Sequence, residues 1–367
     1  MLIELFGGSR MKNNLSRIIL VSPLPPPTGG IATWSRKYID WFSSSEITVD
    51  TVNTALIGSR ATELNSKKNI FDELKRTISV LINLKNKITV GTASIVHLNS
   101  SCSKYGIIRD YLSALLVKTH SLPLIVHYHC NVQDQISSKI QKYFFLKLTK
   151  IADGIIVLNG LSERFIYTRT GVKSYRLPNF IDSNFIVSQP KKIRDKIKKV
   201  VFIGHVTSKK GVREIIEASK YYPNIEFYLA GPISKEIGEM DIHPNVFLLG
   251  ILSSEQIKKL LDNSDVFLFP SHTEGFSMAL LEAMSRGLPI ITTSVGANTE
   301  MIENNGGIIV NIKKICEIKD ALKSMTDISI RRNMSLWNIN KVKKNYDIDS
   351  VLLRLADIYQ EILVKNK

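Results

Sequence analysis

The chain has 367 residues, of which 44% are hydrophobic and 22% are charged. That length predicts two domains rather than one, and the composition excludes a largely disordered chain. Its three cysteines, Cys102, Cys130 and Cys316, show neither metal-ligand nor disulfide spacing, which indicates reduced thiols. No apolar run approaches the roughly 18 to 20 residues of a membrane-spanning helix. Glu4 and Arg10 also argue against a signal peptide, so we expect a cytoplasmic protein.

The net charge of +16 lies mostly in the first half of the chain. Residues 1–180 hold 23 Lys and Arg against 11 Asp and Glu, whereas residues 181–367 hold 26 against 22. The basic first half indicates an anionic partner, and both nucleic acid and the inner leaflet of a membrane qualify. The alternative is a solvated basic surface that reflects a general lysine bias.

Apolar segments and helix-length amphipathic segments alternate in chain order. RIILVS, ASIVHLNS, LPLIVHYHC and ADGIIVLN predict strands in residues 1–180, and six further apolar segments predict strands in residues 200–345. Because their apolar runs are continuous, we expect parallel strands covered on both faces. Residues 181–199 are polar and basic, which indicates a linker, and the helical segment 346–367 could pack back on the first domain.

These elements predict an α/β fold with two doubly wound, Rossmann-like domains facing a cleft. Residues 1–180 would form the first domain and residues 200–345 the second. Open parallel sheets bind ligands beyond the carboxyl ends of their strands. We therefore expect the functional residues in the loops that open on this cleft.

Two of these loops lie in the first half. Gly29 and Gly30 separate the first strand from its helix, where glycine lets backbone amides approach an anion; a plain strand–helix junction would also use glycine. His127 and His129 alternate along a strand and so project from one face. No third ligand is spaced nearby, so a zinc site is rejected, and a hydrogen-bonded structural histidine is the alternative for each.

Two more loops lie in the second half. In GHVTSKKG a strand ends at Gly204, and Lys209 and Lys210 open a helix, where cations are disfavoured unless an anion is also present. A free basic loop is the alternative. In SHTEGFSMALLEAMSRGLP, a helix that begins near Ser277 leaves the amides of residues 275–279 free for a diphosphate. Glu274 and Glu282 could then accept hydrogen bonds from hydroxyls, or could simply be solvated.

GHVTSKKG, HTEGFSMALLEAMSRGLPIITTSVGANTEMI and the order of elements between them resemble the retaining glycosyltransferases of family four, which have the GT-B fold. The likeness runs from PPPTGGIATW to the final helix, and the block with the two glutamates is its most specific part. The resemblance implies three catalytic residues: His129 and Glu274, which contact the transferred sugar, and Lys210, which neutralises the diphosphate. It implies a donor-binding set of Gly29, Gly30, Gly204, His205, Lys209, Lys210, Gly250, Gly275, Phe276, Ser277, Met278 and Glu282.

Three positions depart from the family pattern. His205 stands where the family usually has an arginine, which would grip a diphosphate in two places and stay charged. Ser277 replaces a common glycine, which could alter the sugar pocket. Phe180 follows Asn179 where a glycine is usual, and we expect this to be tolerated.

The resemblance implies transfer of a hexose or N-acetylhexosamine from a nucleotide sugar, with UDP favoured over GDP and with retention of anomeric configuration. On this resemblance, residues 1–180 would form the acceptor-binding domain and residues 200–345 the nucleotide-sugar-binding domain. The acceptor would be a saccharide, free or linked to polyprenyl diphosphate. The basic first half favours the linked form at an anionic membrane surface, in capsule, O-antigen or exopolysaccharide synthesis. We expect a peripheral protein on the inner face of the cytoplasmic membrane, with no nucleic-acid partner, no cofactor and no metal. The alternatives are a sugar-nucleotide epimerase and a non-catalytic donor-binding subunit.

Overall fold

The computed structural model describes residues 15–26, 29–55 and 70–366. The chain divides into two compact units: the first extends to Pro178 and also includes the residues from Leu352 onward, and the second runs from Asn179 to Val351. Each unit contains a six-stranded parallel sheet with helices, so the predicted α/β class with two doubly wound sheets is confirmed. Glu4, Arg10 and part of the PPPTGG loop lie outside the described residues.

The first unit has the strand order β2-β1-β3-β4-β5-β6, with every pair parallel. Its strands are β1 Arg17–Ser22, β2 Thr48–Asn53, β3 Ile95–Ser100, β4 Leu124–Tyr128, β5 Gly154–Val157 and β6 Tyr175–Arg176. Its helices are α1 Gly30–Ser43, α2 Ile70–Thr89, α3 Gly106–Thr119, α4 Val132–Gln135, α5 Lys139–Ile151 and α6 Gly160–Thr170. Strands β3 and β4 are buried throughout, which explains their continuous apolar runs.

The chain leaves β1 towards one edge of this sheet and then makes its later crossovers towards the other edge. Because such crossovers are right-handed, α1 lies on one face, and α2, α3, α5 and α6 lie on the opposite face. The final helix contributes to the α1 face, since the Tyr38 hydroxyl of α1 bonds the Tyr359 hydroxyl at 2.8 Å.

The second unit has the strand order β12-β11-β10-β7-β8-β9, again all parallel. Its strands are β7 Lys199–Ile203, β8 Glu226–Ala230, β9 Val246–Gly250, β10 Val266–Phe269, β11 Ile290–Thr293 and β12 Gly307–Val310. Its helices are α7 Val212–Ser219, α8 Lys235–Gly238, α9 Ser254–Asp262, α10 Met278–Ser285, α11 Asn298–Ile302, α12 Ile315–Ser324 and α13 Ile328–Asn345. Helix α14, Ile348–Lys365, begins in this unit and continues into the first.

Residues 181–199, which were predicted to be a linker, lie within the second unit and make specific hydrogen bonds there. The Lys191 ammonium donates to the carbonyls of Leu261 and Asp262 at the end of α9. The guanidinium of Arg331, which is fully buried, donates to the carbonyls of Arg194 and Asp195. Both a side chain and main-chain carbonyls of this segment are therefore fixed by hydrogen bonds within the second unit. None of the helices in the described ranges is long and apolar enough to span a bilayer.

Candidate active site

Strands β3 and β4 bring three histidines together in the first unit. The strands pair in parallel with Asn99 opposite His127, and His129 directly follows β4. The His127 and His129 ring centroids are 3.9 Å apart, as expected for residues on one face of a strand. The His97 ring lies 5.4 Å from the His127 ring. Trp34 of α1 covers the cluster, with its ring 4.9 Å from that of His129.

Asn99 orients two of these histidines through its buried side-chain amide. Its Nδ2 donates to Ser22 Oγ at 2.9 Å. Ser22 in turn donates to Ser35 Oγ at 2.5 Å, because the Ser35 proton is used by the Ile31 carbonyl at 2.8 Å. Asn99 Oδ1 must therefore accept from both of its other partners.

Those partners are the Nε2 atoms of His97 and His129, at 3.0 and 2.9 Å from Asn99 Oδ1. Each ring consequently carries its proton on Nε2. Nδ1 of His97 accepts from the Tyr359 hydroxyl at 2.5 Å, and Tyr359 accepts from Tyr38. Nδ1 of His129 has no partner within the described ranges. His129 thus presents an acceptor, which suits a sugar hydroxyl.

Burial keeps the three imidazoles neutral. It lowers the pKa of His97 to about 3 and, with a smaller contribution from His97, lowers the pKa of His129 to about 3. Burial also holds the pKa of His127 well below its usual range, with added repulsion from the other two rings. Among the described residues, neither ring nitrogen of His127 has a hydrogen-bond partner. His127 is therefore a packed ring, whereas His129 is largely buried but keeps some exposed surface.

The local fold of the first unit does not require glycine in the loop before α1. Gly29 is extended, at φ −175°, and Gly30 begins α1. A Cβ atom built on either residue meets nothing within 4 Å. The described fold therefore does not itself require glycine at either position.

The basic loop of the second unit differs from its predicted form. We expected Lys209 and Lys210 to open a helix, but Ser208–Lys210 forms a 3₁₀ turn and α7 begins only after Gly211. Gly211 is left-handed, at φ +76°, and a Cβ there would lie 2.1 Å from the Pro270 carbonyl oxygen. This close approach requires glycine and ends the turn before the helix.

The two lysines of that turn point to different surroundings. Lys210 Nζ pairs with Glu274 Oε1 at 2.5 Å, and both side chains are largely buried. The anion that we inferred for Lys210 is therefore already supplied by Glu274. Lys209 instead lines a pocket with Arg213 and Lys313. His205, at the usual arginine position of the family, is exposed.

Glu274 lies just before α10, whose first turn has amides available to a ligand. Ser277 is the N-cap, and its Oγ accepts from the Leu280 amide at 3.2 Å. The amides of Met278 and Ala279 have no carbonyl of the same helix to bond, because they lie in its first turn. Ser277 thus replaces the family's glycine with a cap. Glu282 is half-buried one turn into α10.

Other residues of the predicted donor set lie at strand ends or in the core. Gly204 directly follows β7 and Gly250 ends β9, and Gly231 donates its amide to the Gly250 carbonyl at 2.7 Å. The Gly275 carbonyl accepts from the Ala297 amide. The buried Phe276 ring contacts the Tyr346 ring. No group of three or more His, Cys, Asp or Glu side chains in the described ranges could hold a metal ion.

Comparisons with known proteins identify the class. Residues 184–336 match the family described as glycosyl transferases group 1. One subunit of human phosphatidylinositol N-acetylglucosaminyltransferase is 28% identical over 202 residues, which cover 52% of this chain and 41% of the human protein. UDP-Gal:alpha-D-GlcNAc-diphosphoundecaprenol alpha-1,3-galactosyltransferase of Escherichia coli is 25% identical over 328 residues, covering 79% of this chain and 83% of that protein.

A solved structure supports the same fold. Sucrose-phosphate synthase from Thermosynechococcus elongatus superposes with a TM-score of 0.76 at 14% identity, over 95% of this chain and 100% of its own. The chain therefore has the GT-B fold of glycosyltransferases. The match of residues 184–336 to the glycosyl transferases group 1 family confirms the resemblance found in the sequence. The chain spans less than half of the human relative's length and most of the bacterial one's.

Asn99, His97 and Trp34 are site residues that the sequence did not single out. Asn99 lies at the carboxyl end of β3, where ligand-binding residues of parallel sheets occur, and that position was an available signal. Trp34 is the last residue of PPPTGGIATW, but no role was predicted for it. Its contact with the histidines depends on the packing of α1 against the sheet.

Proposed function

We propose that the protein transfers a hexosyl or N-acetylhexosaminyl group from a UDP-sugar to a lipid-linked saccharide, with retention of anomeric configuration. The observation that carries this proposal is the Lys210–Glu274 pair beside the N-terminus of α10. One cation, two free amides and one carboxylate acceptor together suit a sugar diphosphate. An anion-binding group and a hydroxyl-binding group are needed in the same place for such a donor.

The reaction breaks the bond between the anomeric carbon and the diphosphate and forms a bond from that carbon to an acceptor hydroxyl. The acceptor proton passes to the departing phosphate oxygen. Negative charge builds on the diphosphate, and fixed donors aimed at that charge give the largest reduction of the barrier. We assign this role to Lys210 and the Met278 amide, and assign Gly30 to the distal phosphate.

The sugar and the ribose would be held by acceptors. On donor binding, Lys210 exchanges its partner Glu274 for the diphosphate, which frees the Glu274 carboxylate for sugar hydroxyls. Glu282 would accept from the ribose diol, and Nδ1 of His129 from a sugar hydroxyl. Since Lys210 and the α10 amides supply the positive charge, we propose that no divalent ion is required.

Two relatives support the donor and acceptor classes. The name of the Escherichia coli relative specifies a UDP-sugar donor, a diphosphoundecaprenol-linked acceptor and an alpha linkage. The name of the human relative specifies a phosphatidylinositol acceptor. With the +12 charge of residues 1–180, they favour a lipid-linked acceptor at the inner face of the membrane, in the synthesis of a surface polysaccharide.

The test is a transfer assay with UDP- and GDP-sugars on polyprenyl-diphosphate-linked and lipid-free saccharide acceptors, with and without EDTA. We expect a UDP-sugar to be used, an alpha-linked product by NMR, and no effect of EDTA. Lys210→Met should lower kcat at least about 100-fold, since it removes a donor to the leaving group. Glu274→Gln should lower it similarly. Lys341→Met, which breaks the Lys341–Glu303 pair in the same unit, is the matched control.

Three results would contradict the proposal. Appearance of an epimeric nucleotide sugar without acceptor would indicate an epimerase. Donor binding without transfer to any acceptor, unchanged by His205→Arg, would indicate a non-catalytic donor-binding subunit. Full activity of Glu274→Gln would show that the carboxylate has been assigned to the wrong site.

A further inference from the structure

One outward surface of the first unit is both apolar and basic. Helices α2, α3 and α5 pack side by side on one face of the sheet, and their inward residues share one core with its strands. Their outward residues include eight exposed apolar side chains, between 36% and 72% exposed: Phe71, Leu74, Ile78, Ile82, Leu112, Leu115, Ile140 and Tyr143. We call this the α2–α3–α5 surface.

Helix α2 has two apolar stripes. Val80, Leu84 and Ile88 are buried against the sheet. Phe71, Leu74, Ile78 and Ile82 follow one another at spacings of three and four residues and face outward. A helix on the surface of a soluble protein normally has one apolar stripe, facing the core. The second stripe, continued by Leu112 and Leu115 of α3, is the mark of an interaction surface.

The charges on this surface have one sign. Six exposed lysines lie on α2 and α5: Lys75, Lys85, Lys139, Lys142, Lys147 and Lys150. None of them forms an ion pair within the described ranges. The three helices expose no acidic side chain, since Asp72 and Glu73 are half-buried and Asp110 is buried. The surface therefore suits an occupant that is apolar beneath and anionic at its boundary.

We propose that the α2–α3–α5 surface docks on the anionic leaflet of a lipid bilayer, an inference that rests on the lipid-linked acceptor of the proposed function. Apolar side chains would enter the boundary between headgroups and acyl chains, while lysines reach the anionic headgroups. A second copy is disfavoured, because a two-fold contact would place lysines against lysines. Tyr143, with an apolar ring and a polar tip, suits the same interface.

The test is flotation of the full chain with phosphatidylglycerol–phosphatidylcholine vesicles and with phosphatidylcholine vesicles. We expect binding to the anionic vesicles that weakens at high salt. A triple Lys139→Gln, Lys142→Gln, Lys147→Gln variant should lower the partition coefficient at least tenfold, because each lysine near an anionic surface contributes. Leu74→Gln with Ile78→Gln should also lower it tenfold and should remove the salt-resistant part of binding.

Matched controls come from the second unit. Lys323→Gln, Lys343→Gln, Lys344→Gln removes three exposed lysines elsewhere, and Leu336→Gln with Ile312→Gln removes two exposed apolar side chains. Both should bind vesicles like the unchanged protein. All variants should keep transfer to a lipid-free acceptor, which separates loss of docking from loss of the proposed activity.

Three outcomes would overturn the inference. The first is no flotation of a protein that transfers sugar to a lipid-free acceptor. The second is an equal loss of flotation in the control variants. The third is a dimer in light scattering that Leu74→Gln with Ile78→Gln converts to a monomer, which would show that a second copy covers the surface. Flotation without any transfer would instead refute the proposed function alone.

Discussion

The histidine cluster of the first unit and the lysine–glutamate pair of the second hold polar groups in opposite ways. In the first, a chain of neutral hydrogen bonds from Tyr38 to the Ile31 carbonyl determines where every proton lies. In the second, Lys210 and Glu274 neutralise each other's charge. The neutral chain fixes the geometry of its groups through hydrogen bonds alone, whereas we propose that the ion pair exchanges partners when the donor diphosphate binds.

The largest effect is expected from a charge placed in the neutral hydrogen-bond chain of the first unit. Asn99→Asp puts a carboxylate beside the Nε2 protons of His97 and His129 and so raises the pKa of both rings. Protonated His129 would lose its acceptor at Nδ1. We expect kcat at pH 6 to fall about 100-fold, the scale of a misplaced catalytic group, and to recover as the pH rises. The measurement is the pH profile of transfer to a lipid-free acceptor.

Two variants make the Asn99 result specific. Asn99→Ala should lose activity at all pH values, because it removes orientation without adding charge. Asn86→Asp, on an exposed position of α2, should behave like the unchanged protein. If Asn99→Asp lost activity equally at all pH values, the tautomer assigned to His129 would be wrong.

Because the first unit buries neutral histidines, we expect acid to destabilise it more than the second unit. The pKa of His97 is about 3 in the folded chain and about 6.5 when unfolded. Because the unfolded chain binds more protons, the stabilisation present above pH 6.5 is lost as the pH falls towards 3. At pH 5 the loss from His97 alone is about 2 kcal/mol. The described histidines of the second unit, at 205, 243 and 272, are not fully buried.

Urea unfolding at pH 7 and pH 5 measures this difference. In a Trp337→Phe background, fluorescence reports on Trp34 and Trp41 of the first unit. His97→Gln should lower stability at pH 7, because Tyr359 loses its acceptor, and should remove about 2 kcal/mol of the pH dependence. An unchanged pH dependence in His97→Gln would show that His97 is not held neutral.

The two sites also differ in how far the sequence predicts them. The α10 block was predictable because its strand, cap and glutamates lie within one short segment, and Gly287 ends the helix in the left-handed region. The contact between Asn99 and His129 was not, because it depends on β3 lying beside β4, and hydrogen bonds 30 residues apart leave no local pattern. The Lys210–Glu274 pair joins residues 64 positions apart and could not be predicted for the same reason.

The smallest expected effects are those of substituting one glycine in each unit. Gly30 and Gly211 both stand near the start of a helix, but only Gly211 is left-handed and crowded by the Pro270 carbonyl. Gly30→Ala should therefore stabilise α1 by up to about 1 kcal/mol, and Gly211→Ala should destabilise the second unit by more than that.

If the Gly30 amide approaches the donor phosphate, Gly30→Ala should still raise the KM for the UDP-sugar about tenfold, roughly 1.4 kcal/mol. Thermal melts and donor titrations together distinguish the two glycines: a raised melting temperature with an unchanged KM would assign Gly30 to the strand–helix junction alone.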